Sequence, residues 1–175
     1  MNTDQIITEM KPNIKPFRPC SDGLEYYESK ASFEEAWRDC PRGDWMLWMA
    51  DRLEIDDRTL TRAKALCANT VRHLMKDKRS TDAVDAALRY ADGEIGREEL
   101  GGYAAAANNV LTYDAYANPY ANASFSAYYA VRAVFPSNAA IYADDASYYA
   151  TKRTSNQLVT ANICREVLTE AVMEK

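Results

Sequence analysis

The residues able to do chemistry are few and scattered. The chain holds one histidine, His73, within Val71-Arg72-His73-Leu74-Met75, and four cysteines, Cys20, Cys40, Cys67 and Cys164. A catalytic base must reach the proton it removes, and a nucleophile must reach its base. On one continuous helix His73 and Cys67 point to nearly opposite sides, so no dyad forms there. The favoured reading is a hydrogen-bonded structural histidine at the core edge; an enzyme pairing His73 with a cysteine or carboxylate is the alternative. Neither Cys-x-x-Cys nor Cys-x-x-His spacing occurs, so no metal site is expected. Asp144-Asp145 stands in an uncharged neighbourhood. Adjacent helical carboxylates diverge by about 100°, so they cannot grip one ion together and are expected on solvated surface. Glu34-Glu35 and Glu98-Glu99 suit first helical turns, where the dipole favours anions. Gly93-Glu94-Ile95-Gly96 and Gly101-Gly102 lack the preceding strand and the spacing of a phosphate loop. No catalytic residue and no cofactor is assigned.

Binding chemistry has better candidates. Cys40-Pro41-Arg42-Gly43-Asp44-Trp45-Met46-Leu47-Trp48 carries two of the three tryptophans. Asp44 is a candidate helix cap, with Trp45, Trp48, Met49 and Arg52 or Leu53 following on one face. Aromatics so placed read first as core anchors and second as partner contacts. Arg58 falls in a first turn, where a cation opposes the dipole. It is expected either to pair with a neighbouring carboxylate, Asp44 foremost, or to point into water. From Tyr103 to Ala150 only Asp114, Arg132, Asp144 and Asp145 are charged, while alanine and tyrosine dominate. Tyr113, Tyr116, Tyr128 and Tyr148 are candidate contacts in this stretch. Without interleaved Arg and Lys, the electrostatic half of nucleic-acid binding is missing, and none is expected.

The elements that must position these residues read as helices throughout. Ser32 with Glu35 forms a capping-box pattern; Asp56 and Asp57 start the next helix, expected to run to about Met75. Its apolar stripe includes Leu60, Ala63 or Lys64, Cys67, Val71 and Leu74. Ser80-Thr81-Asp82 is expected to cap a helix with Ala83, Val84, Ala87, Leu88 and Ala91 inward, closed by Gly93. Asn118-Pro119 and Pro136-Ser137 divide the remainder into helices near 97–117, 120–134 and 138–173. The last carries a stripe of Val159, Ile163, Val167 and Ala171, joined by Cys164, Leu168 and Val172, and should pack back across the first half. Sustained period-two alternation is lacking, so no strand is needed. The expectation is one all-α domain over 1–175, with seven or eight helices. Residues 1–102 form its first part and 103–175 an Ala/Tyr-rich C-terminal helical layer.

At 175 residues with net charge −5, the chain can bury a core without staples. The N-terminus lacks a secretory apolar region and no run of ~18 apolar residues spans a membrane. A cytoplasmic location with reduced thiols is expected.

The run from Cys20 to about Leu100 resembles the immunity-protein family called immunity-protein-five-like, found in bacterial toxin systems and in phages of gut bacteria. The likeness rests on Cys20-Ser21-Asp22-Gly23, Glu35-Ala36-Trp37, the Cys40–Trp48 run, Ile55-Asp56-Asp57-Arg58, Ala63–Ala68, His73–Asp77 and Tyr90-Ala91-Asp92-Gly93-Glu94. The resemblance implies a non-catalytic protein that neutralises a toxin by complex formation, with a protein partner and no catalytic residues to carry over. Capture of a small nucleotide-like ligand, as in phage counter-defence, is the alternative. The Tyr and Ala faces of the tail also suit burial against a second copy.

Overall fold

The computed structural model describes residues 11–111, 118–132, 136–151 and 156–175. Its contacts divide the chain into two units, Met1–Cys40 and Pro41–Lys175. In the first, a 3-10 turn at Lys15–Phe17 precedes α1 (Ser21–Glu28) and α2 (Phe33–Asp39). The cap of α1 is Cys20, whose Sγ accepts the Gly23 N–H at 3.4 Å. At α2 the capping box closes as expected: Ser32 Oγ accepts the Glu35 N–H at 3.0 Å, and the Glu35 carboxylate accepts the Ala31 N–H at 2.8 Å. Tyr27, Phe33 and Trp37 form a row of rings with centroids 6.4 Å apart at each step.

The second unit contains α3 (Gly43–Arg52), α4 (Asp57–Asn69), α5 (Lys78–Ala91), α6 (Arg97–Asn108), α7 (Pro119–Val131), α8 (Ser137–Thr151) and α9 (Gln157–Met173). The class is all-α: the described residues form nine α-helices and no strand. Nine appear where seven or eight were expected because the span 138–173 is two helices. Asn156 occupies the N-cap position of the second, without a side-chain cap bond.

Helix α4 lies at the centre of this unit, packed against α3, α5, α7, α8 and α9. Asp56 caps it by accepting the Arg58 and Thr59 N–H groups at 3.0 and 3.1 Å. The surrounding interior is lined by methyl groups. Ala65 and Ala68 on α4, Ala83 and Ala87 on α5, Ala123 and Ala127 on α7, and Ala143 and Ala146 on α8 are all buried. Such faces favour helix formation and let backbones approach closely.

Several boundaries and faces differ from expectation. Helix α4 ends at Asn69, and a separate 3-10 turn, Arg72–Leu74, places His73 on the exposed surface without a hydrogen bond to any described residue. A structural core-edge histidine is therefore not what forms. Helix α5 is capped by Asp77, which accepts the Arg79 N–H at 2.9 Å. Ser80, the expected cap, is instead buried three residues into the chain beyond it. Tyr90 rather than Ala91 is buried at the other end, and Gly93 closes the helix in the left-handed region at φ 83°. The buried side of α9 is Thr160, Ala161, Cys164, Leu168 and Val172, whereas Val159 is 49% exposed. Thr160 tolerates burial because its hydroxyl donates to the Gln157 carbonyl at 3.0 Å, satisfying the polar group locally.

Helix α9 packs on α3 and α4, and the crossing with α3 is tight. A Cβ on Gly43 would lie 2.5 Å from Thr160 Oγ1 and 2.6 Å from the Thr160 carbonyl carbon. Beside it the Cys164 thiol donates to the Gly43 carbonyl at 3.6 Å, and the Cys67 thiol donates to the Thr160 carbonyl at 3.9 Å. Overpacking of this kind costs about 1–3 kcal/mol. Gly43→Ala should lower the unfolding free energy by that amount in urea titrations followed by circular dichroism. Gly102→Ala, at an exposed α6 position where a Cβ meets nothing within 4 Å, should raise it by about 0.5–1 kcal/mol through helix propensity.

Candidate functional site

The structure gives Asp44 a different role from capping. Arg42 occupies the N-cap position of α3 without a side-chain cap bond, and Asp44 sits in the first turn, 8% exposed. Its carboxylate takes a two-point bond from Arg42, Nε to Oδ1 at 3.0 Å and Nη2 to Oδ2 at 2.7 Å. The same guanidinium lies over the Trp45 ring at 4.7 Å. Arg58 is engaged elsewhere: it donates to the Tyr90 carbonyl and lies over the Tyr90 ring at 4.4 Å. The expected Asp44–Arg58 pair therefore does not form. A fork two residues away serves Asp44, and the negative end of α5 draws in Arg58. Trp45 and Trp48 are only half-buried; the interior face of α3 is Met46, Leu47, Met49 and Ala50.

Asp144 and Asp145 are not solvated bystanders either. Asp144 accepts the Asn156 N–H at the start of α9, and the Asn156 amide donates to the Thr70 hydroxyl. That hydroxyl in turn donates to the Cys67 carbonyl at 2.7 Å. The two carboxylates divide the work, as their divergence on the helix requires: Asp144 tethers α9, while burial, then Asp144 and Asp44, push the Asp145 carboxyl up.

Lys64 is the most unusual group in the unit. It is 2% exposed on α4, and its ammonium donates to the Arg132 carbonyl at the C-cap of α7, 2.6 Å away. A cation at a helix C-terminus is electrostatically favoured and satisfies an orphan carbonyl. Burial nevertheless dominates and lowers its pKa to about 8, against the opposing pull of Asp57 and Asp51 and alongside the repulsion of Arg97. Arg97 Nη2 lies 2.6 Å from Asp57 Oδ2, an ion contact whose N–H is not aimed at the oxygen. The hydrogen bond with Asp57, then burial, holds the Tyr90 phenol above its usual range.

Between α6 and α7 opens a cleft of about 420 Å³. Its polar lining comes from Arg97, Arg132 and Asn108, and its apolar wall from Leu100, Ala104 and Val131. The Arg132 guanidinium lies 5.3 Å from the centroid of Tyr128, which also lines the cleft. From Tyr128 a row of half-buried rings crosses to α8. Tyr128 meets Tyr129 edge-on at 5.2 Å, Tyr129 stacks on Tyr142 at 5.5 Å, and Tyr142 stacks on Phe125 at 5.0 Å.

Of the tyrosines singled out by sequence, Tyr128 belongs to this row. Tyr148, 49% exposed, meets Tyr149 edge-on at 5.3 Å. Tyr113 and Tyr116 lie outside the described residues. Sequence reasoning missed Tyr129, Tyr142, Arg97 and Arg132 as neighbours. Arg132 alone carried a signal, as the one cation between Tyr103 and Ala150. Among the described residues, no group of three or more His, Cys, Asp or Glu is arranged to hold a metal, and no helix is long and apolar enough to cross a membrane. Set against family models, curated proteins and solved structures, the chain matches none.

The lowered Lys64 pKa has a signed consequence. Between pH 8 and 10.5 the unfolded chain holds a proton on Lys64 that the folded chain has released, so stability rises with pH across that window. Below pH 8 both states are protonated and the burial cost is fully present. Urea midpoints measured from pH 7 to 10.5 should show wild type gaining on Lys64→Met by up to the order of 3 kcal/mol, from the fall of 10.5 to about 8. A constant difference across that range would mean that Lys64 titrates as an exposed lysine.

Proposed function

We propose that this chain is a cytoplasmic binding protein of the immunity or antitoxin type, which neutralises a protein toxin by forming a complex with it. In this reading the Ala/Tyr-rich helices form a layer that presents the contact surface. The observation that carries it is the ring row Phe125–Tyr142–Tyr129–Tyr128 with Arg132 at its end. Half-buried aromatics held by mutual stacking lose little rotamer freedom on binding, and tyrosine and arginine are the residue types that concentrate interface energy. The family resemblance of residues 20–100 points the same way. The immunity reading makes the toxin encoded beside this chain its partner.

Co-expression of the two should restore growth and yield a complex that persists through size-exclusion chromatography. Tyr129→Ala combined with Tyr142→Ala should weaken that complex by at least tenfold, the effect of losing one hot-spot contact of about 1.4 kcal/mol or more, with circular dichroism unchanged. Growth arrest undiminished by co-expression, with the two proteins eluting apart, would end the immunity reading.

A further inference from the structure

We propose that the α6–α7 cleft is a binding site for a small organic phosphate, with its phosphate on Arg132 and Arg97 and a planar, apolar body along Leu100, Ala104 and Val131. The cleft shares Tyr128 and Arg132 with the ring row, but binding of a small phosphate is read without any protein partner, so either reading can fail without the other. Three features of the cleft lead to it.

The first is the state of Arg132. Its guanidinium carbon lies 5.3 Å from the Tyr128 ring centroid, and the residue is exposed. No carboxylate of a described residue pairs with it. Eight other arginines of the second unit have a carboxylate or carbonyl partner: Arg42 with Asp44, Arg52 with Asp51, Arg58 with the Tyr90 carbonyl, Arg62 with Asp92, Arg72 with Asp85, Arg79 with Asp77, Arg89 with Glu94, and Arg97 with Asp57; Arg165 donates to the Asn162 side chain. A guanidinium fork matches two oxygens of a phosphate. Arg97 lines the same cleft, paired with Asp57 and lying 5.7 Å from the Tyr90 ring centroid, and its remaining N–H groups can add to those of Arg132.

The second is the glycine pair of α6. Gly101 lines the cleft, and a Cβ added there or at Gly102 meets nothing within 4 Å. Neither glycine has a positive φ. Glycine in a helix interior costs about 1 kcal/mol relative to alanine, and here neither packing nor backbone conformation requires it. Gly101 is exposed and leaves open space on the α6 side of the cleft.

The third is size and polarity. At about 420 Å³ the cleft falls in the range of small-molecule sites, which combine an apolar wall with a few converging polar groups. Asn108 adds an amide that can donate to or accept from the edge of a planar ring.

Titration of the full chain with adenosine monophosphate, followed by amide nuclear magnetic resonance, tests the assignment. Saturable shifts are expected at Gly101 and Arg132 by about 5 mM ligand. Arg132→Gln should weaken binding by about tenfold or more. Gly101→Leu should abolish it with an unchanged or higher melting temperature, since its Cβ meets nothing within 4 Å and its longer side chain occupies the cleft. Adenosine should produce no saturable shift, and inorganic phosphate should bind more weakly than the nucleotide. The proposal is overturned if neither amide shifts with the nucleotide, or if Gly101→Leu binds it as well as wild type does. It is overturned equally if inorganic phosphate binds as tightly as the nucleotide, because the apolar wall then contributes nothing.

Discussion

The close approach of methyl-lined helices is the constraint on which the second unit depends. A buried alanine removes little apolar area from water, so the interior gains by packing backbones near one another and filling the space densely. Gly43 against Thr160 is the extreme case, where even a methyl group has no room. The same constraint expels bulk. Phe125, Tyr128, Tyr129 and Tyr142 sit half-buried on the flanks of α7 and α8, beside the fully buried Ala123, Ala127 and Ala130. Their stacking is thus a by-product of where large rings fit, as well as a rigid surface.

Closely packed helices also leave their terminal carbonyls in poor contact with water, and the chain answers with long cations. Lys64 runs from the middle of α4 to the end of α7, and Arg58 runs from the first turn of α4 to the end of α5. Both supply a donor where a helix has an orphan acceptor and place positive charge at its negative end. The cost differs sharply. Arg58 is exposed and keeps most of its hydration, whereas Lys64 is buried and its charged form is penalised. A methionine would avoid the charge penalty but would leave the Arg132 carbonyl without the Lys64 donor, a loss comparable to an unsatisfied polar group.

Local signals in the sequence carried a great deal of this fold. Ser32 with Glu35, Asp56, Gly93 and Asn118-Pro119 each mark a helix boundary by a bond that involves only near neighbours, and each acts as its residue type implies. The phases of α3 and α9 were not legible in the same way. Hydrophobicity ranks Trp45, Trp48 and Val159 above Gly43, Ala50 and Thr160, yet the interior selected the smaller residues. Periodicity weighted by hydrophobicity misplaces a face when packing is limited by size. The partner of Asp44 was hidden for another reason: Arg42 was the nearer cation, and a two-residue fork competes well against any long-range pair. Lys64 stood within the apolar stripe of α4, but a lone cation there reads equally as a snorkelling surface group.

Exposed tyrosines beside alanine-lined faces are by themselves weak evidence of a site, although the core does hold Tyr90. Stronger evidence lies in what the fold does not use. The glycine pair of α6 lowers helix stability with no packing return, and Arg132 is the one cation in a stretch of alanine and tyrosine whose other charges are Asp114, Asp144 and Asp145. Gly101 and Arg132 border one cleft, and the Lys64 ammonium bonds the Arg132 carbonyl at that helix end. A buried, penalised lysine that fixes the backbone beneath an exposed arginine costs stability and gains position. That exchange is what a binding group requires and what a solvated surface residue does not.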